Sequence, residues 1–258
     1  MTIYTPHFLL DVVTGDTHGK WGSVSKFGHN LDIDKTSAPE TIWSQGGLWV
    51  APTAARIHNL TSTSTEDDTG GDGAITISVQ GLDENWDAQS ETVTLNGTAN
   101  VPTVNSYRRI FRMQNVTCGV TKVNEGIITA TAVTDGTVTA AIPALFGTTF
   151  MAVWSVPRLK TACLLAWWAS INRQGAAASA MAEMELRVCR GIDTANPATV
   201  VIETFALAVD GLNFANVVKA LPKTIVGPAD IEMRCTYVSD NDTVISGGFD
   251  MVYSNTTP

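Results

Sequence analysis

Carboxylates are the commonest reactive side chains in this chain, and the densest group of them opens the stretch TEDDTGGDGAITISVQGLDENWDAQSETVTLNG. Glu66, Asp67, Asp68 and Asp72 offer oxygen ligands of the kind calcium takes. The spacing lacks the alternate-position carboxylates and the closing glutamate of a helix-loop-helix calcium site. Nor is the glycine pattern a phosphate loop, because no lysine follows it and a strand follows where a helix should. The segment reads as a solvated turn that feeds a β-hairpin. Asp32 with Asp34, and Asp240 with Asp242, are the other carboxylate pairs. Paired catalytic carboxylates need environments that split their pKa values across a cleft, and both pairs fall where turns are expected.

The remaining candidates for chemistry are sparse. His7, His18, His29 and His58 have no serine, cysteine or carboxylate at motif spacing, and neither a GxSxG elbow nor an HExxH pair occurs. Cys118, Cys163, Cys189 and Cys235 sit singly in strand-like runs. They read as reduced apolar residues, not as zinc ligands or bridges. No catalytic residue, cofactor site or metal site is nominated, and the chain reads as non-enzymatic. A surplus of 25 acids over 16 bases gives a net charge of −9, which excludes the basic face of a nucleic-acid binder. No apolar run reaches the length of a membrane span. The apolar piece at residues 8–13 is interrupted by Asp11 and lacks the flanks of a signal peptide, so synthesis in a cytoplasm is expected.

Elements able to position any site are almost all strands. Ile75, Ile77 and Val79 alternate with Thr76, Ser78 and Gln80, and LDENWDA joins this strand to the next as a turn. In AEMELRVCR, Ala182, Met184, Leu186 and Val188 oppose Glu183, Glu185 and Arg187. In IEMRCTY, Ile231, Met233, Cys235 and Tyr237 oppose Glu232, Arg234 and Thr236. The last strand sets Ile245, Phe249, Met251 and Tyr253 on one face, with Gly247 and Gly248 marking a bulge or a close approach. Ten to twelve strands are expected. ANVVKAL is the lone helical candidate, and NRQGAAASA reads as a long hairpin loop. The fold class is all-β, an antiparallel, jelly-roll-like β-sandwich. Residues 1–44, poor in periodicity, read as an extended N-terminal arm, and residues 45–258 as the sandwich region. That region is either one large sandwich or two that divide near Pro143.

Contact residues are read from aromatic and arginine placement. Trp21, Phe27 and Trp43 would let the arm seat in a neighbour's groove. Adjacent strand residues point to opposite faces, so of Trp167 and Trp168 one fills the core, while the other meets a second sheet, a loop or another subunit. Arg108, Arg109 and Arg112 either balance nearby acids or hold an acidic partner.

Several stretches together resemble a virion structural protein family of tailed bacteriophages, common in marine and cyanobacterial phages. They include FGHNLDID, ETIWSQGGLWVAPTAA, DDTGGDGAITISVQGLDENWDAQSETVTLNGT, SYRRIFRMQNV and NEGIITAT. MAVWSVPRLKTACLLAW is similar to a further segment of that family, although Leu159 stands where a glycine is usual, and PADIEMRC and GGFDMVY also fit. The resemblance implies a virion component without catalysis. Its leading form is a capsid decoration or cement protein, homotrimeric, bound to the major capsid protein. The alternative is a head fibre, neck or tail accessory protein that contacts host-surface glycan. No residue role follows from the resemblance.

Overall fold

Strands form wherever apolar and polar residues alternate, and also where they do not. The structure is a computed structural model that describes residues 8–15, 20–173, 179–210 and 215–254. Among these, a short helix α1 (Phe8–Thr14) precedes β1 (Trp21–Ile33), β2 (Glu40–Thr41), β3 (His58–Ser62), β4 (Ala74–Leu82), β5 (Ala88–Thr94), β6 (Val101–Pro102), β7 (Arg109–Cys118) and β8 (Ile128–Ala132). There follow β9 (Val138–Ile142), β10 (Val153–Val156), β11 (Thr161–Arg173), β12 (Ser179–Arg190), β13 (Ala198–Asp210), β14 (Ala215–Val226), β15 (Ala229–Val238) and β16 (Thr243–Ser254).

Eight of these strands make an antiparallel sandwich. Its sheets run β1-β16-β11-β14 and β10-β15-β12-β13, and β2 pairs with β15. From β10 onward every connection but β12–β13 passes to the opposite sheet, which is the strand order of a jelly roll. Met184, Leu186 and Val188 of β12 and Ile231, Met233 and Cys235 of β15 fill the interior. Opposite them stand Leu164, Trp167 and Ile171 of β11 and Ile245, Phe249 and Met251 of β16. The alternation expected of these strands holds with one exception. Tyr237 is 47% exposed, because the β12–β15 register shifts between Glu183 and Met184 and turns the side chains beyond the bulge over. Gly247 marks a close approach: a Cβ there would lie 2.5 Å from the Met233 methyl.

The strands β3 to β9 are inserted in the first connection of the jelly roll. They form two further sheets, β6-β3-β8-β9 and β5-β4-β7, around a separate core that includes Leu60, Ile77, Val79, Tyr107, Ile110, Met113 and Ile128. The chain therefore has two sandwiches. Their boundaries fall near residues 43 and 152, and not near Pro143, since Ile142 belongs to the inserted core and Ala152 to the jelly roll.

Three sequence expectations are corrected here. Residues 21–44 are not an arm: β1 pairs along its length with β16 and closes one edge of the jelly roll. Its inward positions are Lys26, Gly28, Asn30 and Ile33, so three of the four carry no hydrophobic signal. Gly28 is required because a Cβ would lie 1.9 Å from the Ile42 carbonyl oxygen. NRQGAAASA does not close a hairpin, because β11 pairs with β14 and β16 while β12 pairs with β13 and β15; residues 174–178 lie outside the described residues. ANVVKAL lies in β14, where pairing with β11 outweighs its weak helical preference.

Candidate functional site

The two sandwiches meet where the insert covers the β1–β10 edge of the jelly roll. Arg109 opens β7 and its guanidinium grips Asp230 of β15, with Nε 2.9 Å from Oδ1 and Nη2 2.9 Å from Oδ2. The Ser155 hydroxyl of β10 donates to the same carboxylate at 2.5 Å. Both partners of this fork are nearly buried, with side-chain exposures of 8% and 11%. Trp86 lies against the Arg109 and Arg108 guanidinium groups, 4.9 and 5.0 Å from its ring centroid. It sits at the tip of the β4–β5 turn with φ 67°, is 2% exposed, and its carbonyl accepts from the Arg158 amide at 2.9 Å. A tryptophan in a turn reads as an exposed loop residue, so sequence gave no sign of this role.

Beside this contact the sandwiches part to leave a cleft of about 660 Å³. Two cations lace its floor reciprocally. The Lys26 ammonium of β1 donates to the Phe111 carbonyl of β7, and Arg112 Nη2 of β7 donates to the Ser25 carbonyl of β1 at 2.7 Å. Burial, and then the nearby Arg112 charge, hold the Lys26 pKa well below the ordinary lysine range. Burial lowers the Arg112 pKa too. Phe111, Trp154 and Tyr253 form the apolar wall, with ring centroids 6.4 Å apart for Phe111–Trp154 and 5.8 Å for Trp154–Tyr253. Gly22 lets the Tyr253 ring lie flat across β1, since a Cβ there would come within 2.4 Å of the ring. Opposite, Ser90, Gln80 and Arg112 form one row across β5, β4 and β7. The lining holds three cations, Lys26, Arg112 and Lys160, and no carboxylate.

The predicted contact residues are thus distributed over quite different places. Arg109 is spent inside the molecule, which corrects its assignment as a partner contact and answers the arginine question for that residue in favour of charge balance. Arg108 stacks on Trp86 and donates to the Glu84 carbonyl at 3.2 Å. Trp43 is also corrected: it is 3% exposed in the inserted core and its Nε1 donates to the Gly47 carbonyl at 3.0 Å. Trp21 packs edge-on against Phe8 with centroids 5.5 Å apart, and Phe27 against Phe150 at 5.2 Å. The tryptophan pair divides as strand geometry requires. Trp167 is fully buried against Phe205, so it makes no external contact, whereas Trp168 is half-buried on the outer face between Gly248 and Val218.

The acidic loop is more than a solvated turn. Glu66 and Asp72 are exposed, but Asp67 is fully buried. Its carboxylate accepts from the Ser62 hydroxyl at 2.5 Å, the Ala74 amide at 2.7 Å, and the Glu125 and Gly126 amides at 2.9 Å each. Asp67 therefore ties three loop segments together. Gly73 makes room for it, because a Cβ there would lie 2.2 Å from Asp67 Oδ1.

The two aspartate pairs converge, which sequence did not suggest. Carboxylate oxygens of Asp32, Asp34 and Asp242 lie within 4.8 Å of one another. The Asp32 pKa is raised by desolvation and then by Asp34, Asp242 and Glu40. Acids clustered on a surface are common without an ion, and the Asp242 amide donates to Asp34 at 3.1 Å, tying together two loops far apart in sequence. His7 and His18 lie outside the described residues. The His29 and His58 rings share no hydrogen bond with a serine, threonine or cysteine side chain among the described residues; the His58 ring bonds the Arg56 carbonyl at 2.9 Å, and only its backbone amide donates to a hydroxyl, that of Thr103 at 3.0 Å. All four cysteines are free and only Cys235 is buried, where burial pushes its thiol pKa up to about 12.

No protein-family model matches the sequence, and no curated protein matches it. Among solved structures, the chain is similar to the N-terminal CBM22-1-CBM22-2 tandem domain from Paenibacillus barcinonensis Xyn10C. Identity is 9%, coverage is 93% of this chain and 94% of that one, and the TM-score is 0.25. It is also similar to a structure of infectious bursal disease virus Gx strain at 11% identity, covering 97% of this chain and 78% of that one, with a TM-score of 0.19.

Proposed function

We propose that this chain is a non-enzymatic structural component of a tailed-phage virion, a decoration protein that binds the major capsid protein lattice, as a homotrimer. The observation that carries this reading is the unequal treatment of the two open edges of the jelly roll. The β1–β10 edge is covered by the inserted sandwich. The opposite edge, formed by β13 and β14, is uncovered among the described residues and shows apolar side chains: Val200, Val201, Val218 and Val226 are 46, 41, 71 and 60% exposed. Long edge strands with exposed apolar side chains are surfaces on which other chains assemble. One local lock guards the seam, where Lys223 Nζ donates to the Ile202 carbonyl at 2.5 Å. The jelly roll is an architecture that capsid and lectin domains share, which supports the reading by fold analogy alone. The sequence resemblance supports it independently.

Quantitative mass spectrometry of purified virions tests it. A trimer at every threefold and quasi-threefold point of the shell gives about one copy per major capsid subunit. A small fraction of that ratio would refute the assignment and move the chain to fibre, neck or tail. Val218→Asp with Val201→Asp should abolish binding to purified capsids and leave the melting temperature unchanged.

A further inference from the structure

We propose that the cleft between the sandwiches binds an anionic sugar ring of the hexuronate class, its carboxylate against Lys26 and Arg112 and its apolar ring face on Phe111 and Tyr253. This goes beyond the assembly role, which uses the opposite edge of the jelly roll.

Charge carries the first step. Across a protein of net charge −9, the cleft gathers Lys26, Arg112 and Lys160 with no acid in its lining. Lys26 is 3% exposed, and a buried charge without a counter-charge is costly. Its ammonium has three donors, yet among the described residues the Phe111 carbonyl is its one hydrogen-bond acceptor. Arg112 likewise donates to a carbonyl, that of Ser25, and not to a carboxylate. An incoming anion supplies the missing counter-charge and the missing acceptors. Burial, and then the Arg112 charge, lower the Lys26 pKa in the same place.

Shape and lining carry the second step. The volume, about 660 Å³, falls within the range of small-molecule sites and exceeds what a single inorganic anion needs. The row Ser90, Gln80, Arg112 spans two strand spacings, about 10 Å, and presents neutral hydrogen-bonding groups leading to a cation. The aromatic wall faces that row. Neutral polar groups, an aromatic surface and a cation at one end are what the hydroxyls, ring face and carboxylate of a uronic acid ask for.

Calorimetric titration of the full chain with an oligogalacturonate, a neutral galacto-oligosaccharide and sodium sulfate tests the proposal. Oligogalacturonate should bind at least about tenfold more tightly than either of the others, the cost of one lost charged hydrogen bond. Lys26→Met should weaken it by about tenfold or more on the same grounds. Because Lys26 is buried, Ser90→Glu serves as the variant at an exposed position: it sets a carboxylate at the cleft mouth and should weaken binding by about tenfold or more at an unchanged melting temperature. Absence of oligogalacturonate binding overturns the proposal. So does equal binding of the neutral sugar, or affinity that both variants leave intact. Sulfate binding as tightly as oligogalacturonate overturns the sugar assignment and leaves an inorganic anion site.

Discussion

Acid should destabilise this protein through His58 before general carboxylate protonation does. His58 lies on β3 with no solvent exposure, its Nδ1 2.9 Å from the Arg56 carbonyl and its ring edge-on to Tyr107 with centroids 6.3 Å apart. The carbonyl makes Nδ1 the donor, so Nε2 is the site of the second proton, and it has no partner among the described residues. Burial pulls the pKa from 6.5 down to about 4, outweighing the Arg56 carbonyl and Asp135, which both raise it. The sign follows directly. Above pH 6.5 neither state is protonated; between there and about 4 the unfolded chain takes up a proton that the folded chain refuses, so stability falls as pH falls. At 1.36 kcal/mol per pKa unit the full loss is about 3 kcal/mol, a large part of a typical domain stability. The comparison is urea unfolding of the wild type and His58→Leu across this pH window. Leucine costs about 0.5–1.5 kcal/mol at neutral pH by removing one of the two hydrogen bonds that the Arg56 carbonyl accepts, the other coming from the Tyr107 amide, but it does not titrate. The wild-type advantage should shrink steadily as pH drops and vanish or reverse near the lower limit. Wild-type and variant curves that run parallel would refute the reasoning.

Two other perturbations probe the elements that shape the site. Asp67→Ala orphans one hydroxyl and three amides at once and should cost about 4 kcal/mol or more, read as a lowered unfolding midpoint of the insert; Glu66→Gln, on the exposed part of the same loop, should stay within about 0.5 kcal/mol of wild type. Asp230→Ala strands the buried Arg109 charge and should cost about 3–5 kcal/mol, whereas adding Arg109→Met should restore most of it, with amide hydrogen exchange at β7 and β15 following both changes.

How much of this was legible depended on which side chains point inward. Strands β12, β15 and β16 were legible because Met184, Leu186, Ile231, Met233 and Phe249 carry period-2 alternation on their own. Strand β1 was not, because Lys26, Gly28 and Asn30 occupy its inward positions and its strand state comes from pairing with β16. Periodicity identifies a strand but not its partner, so the β11–β12 connection reads as a hairpin in sequence although it crosses between sheets. Trp167 and Trp168 were separated correctly, since adjacent residues must face opposite ways. Asp67 and Trp86 were invisible for a shared reason: each looks like loop material, and burial is conferred by segments far away in sequence. Leu159 has a φ of 60°, a region that favours glycine, and nothing in the hydrophobic pattern marks that.

Stability and binding meet in the contact between the sandwiches. Joining them required a dry surface on β1 and β10, and the sequence provides two different solutions side by side. At Arg109 the charge is matched by Asp230 and Ser155, and the contact is complete in itself. At Lys26 and Arg112, carbonyl oxygens stand in for a carboxylate, leaving a junction that holds but retains excess positive charge. A ligand that binds there touches β1, β7 and β16 together, so separating the sandwiches destroys its site. Its binding energy therefore adds to the energy that keeps them joined, by about 2.7 kcal/mol at a hundredfold excess over Kd. Oligogalacturonate should accordingly slow hydrogen exchange at β1 and β7 more than at the β13 edge, and equal slowing at both would separate the cleft from the junction.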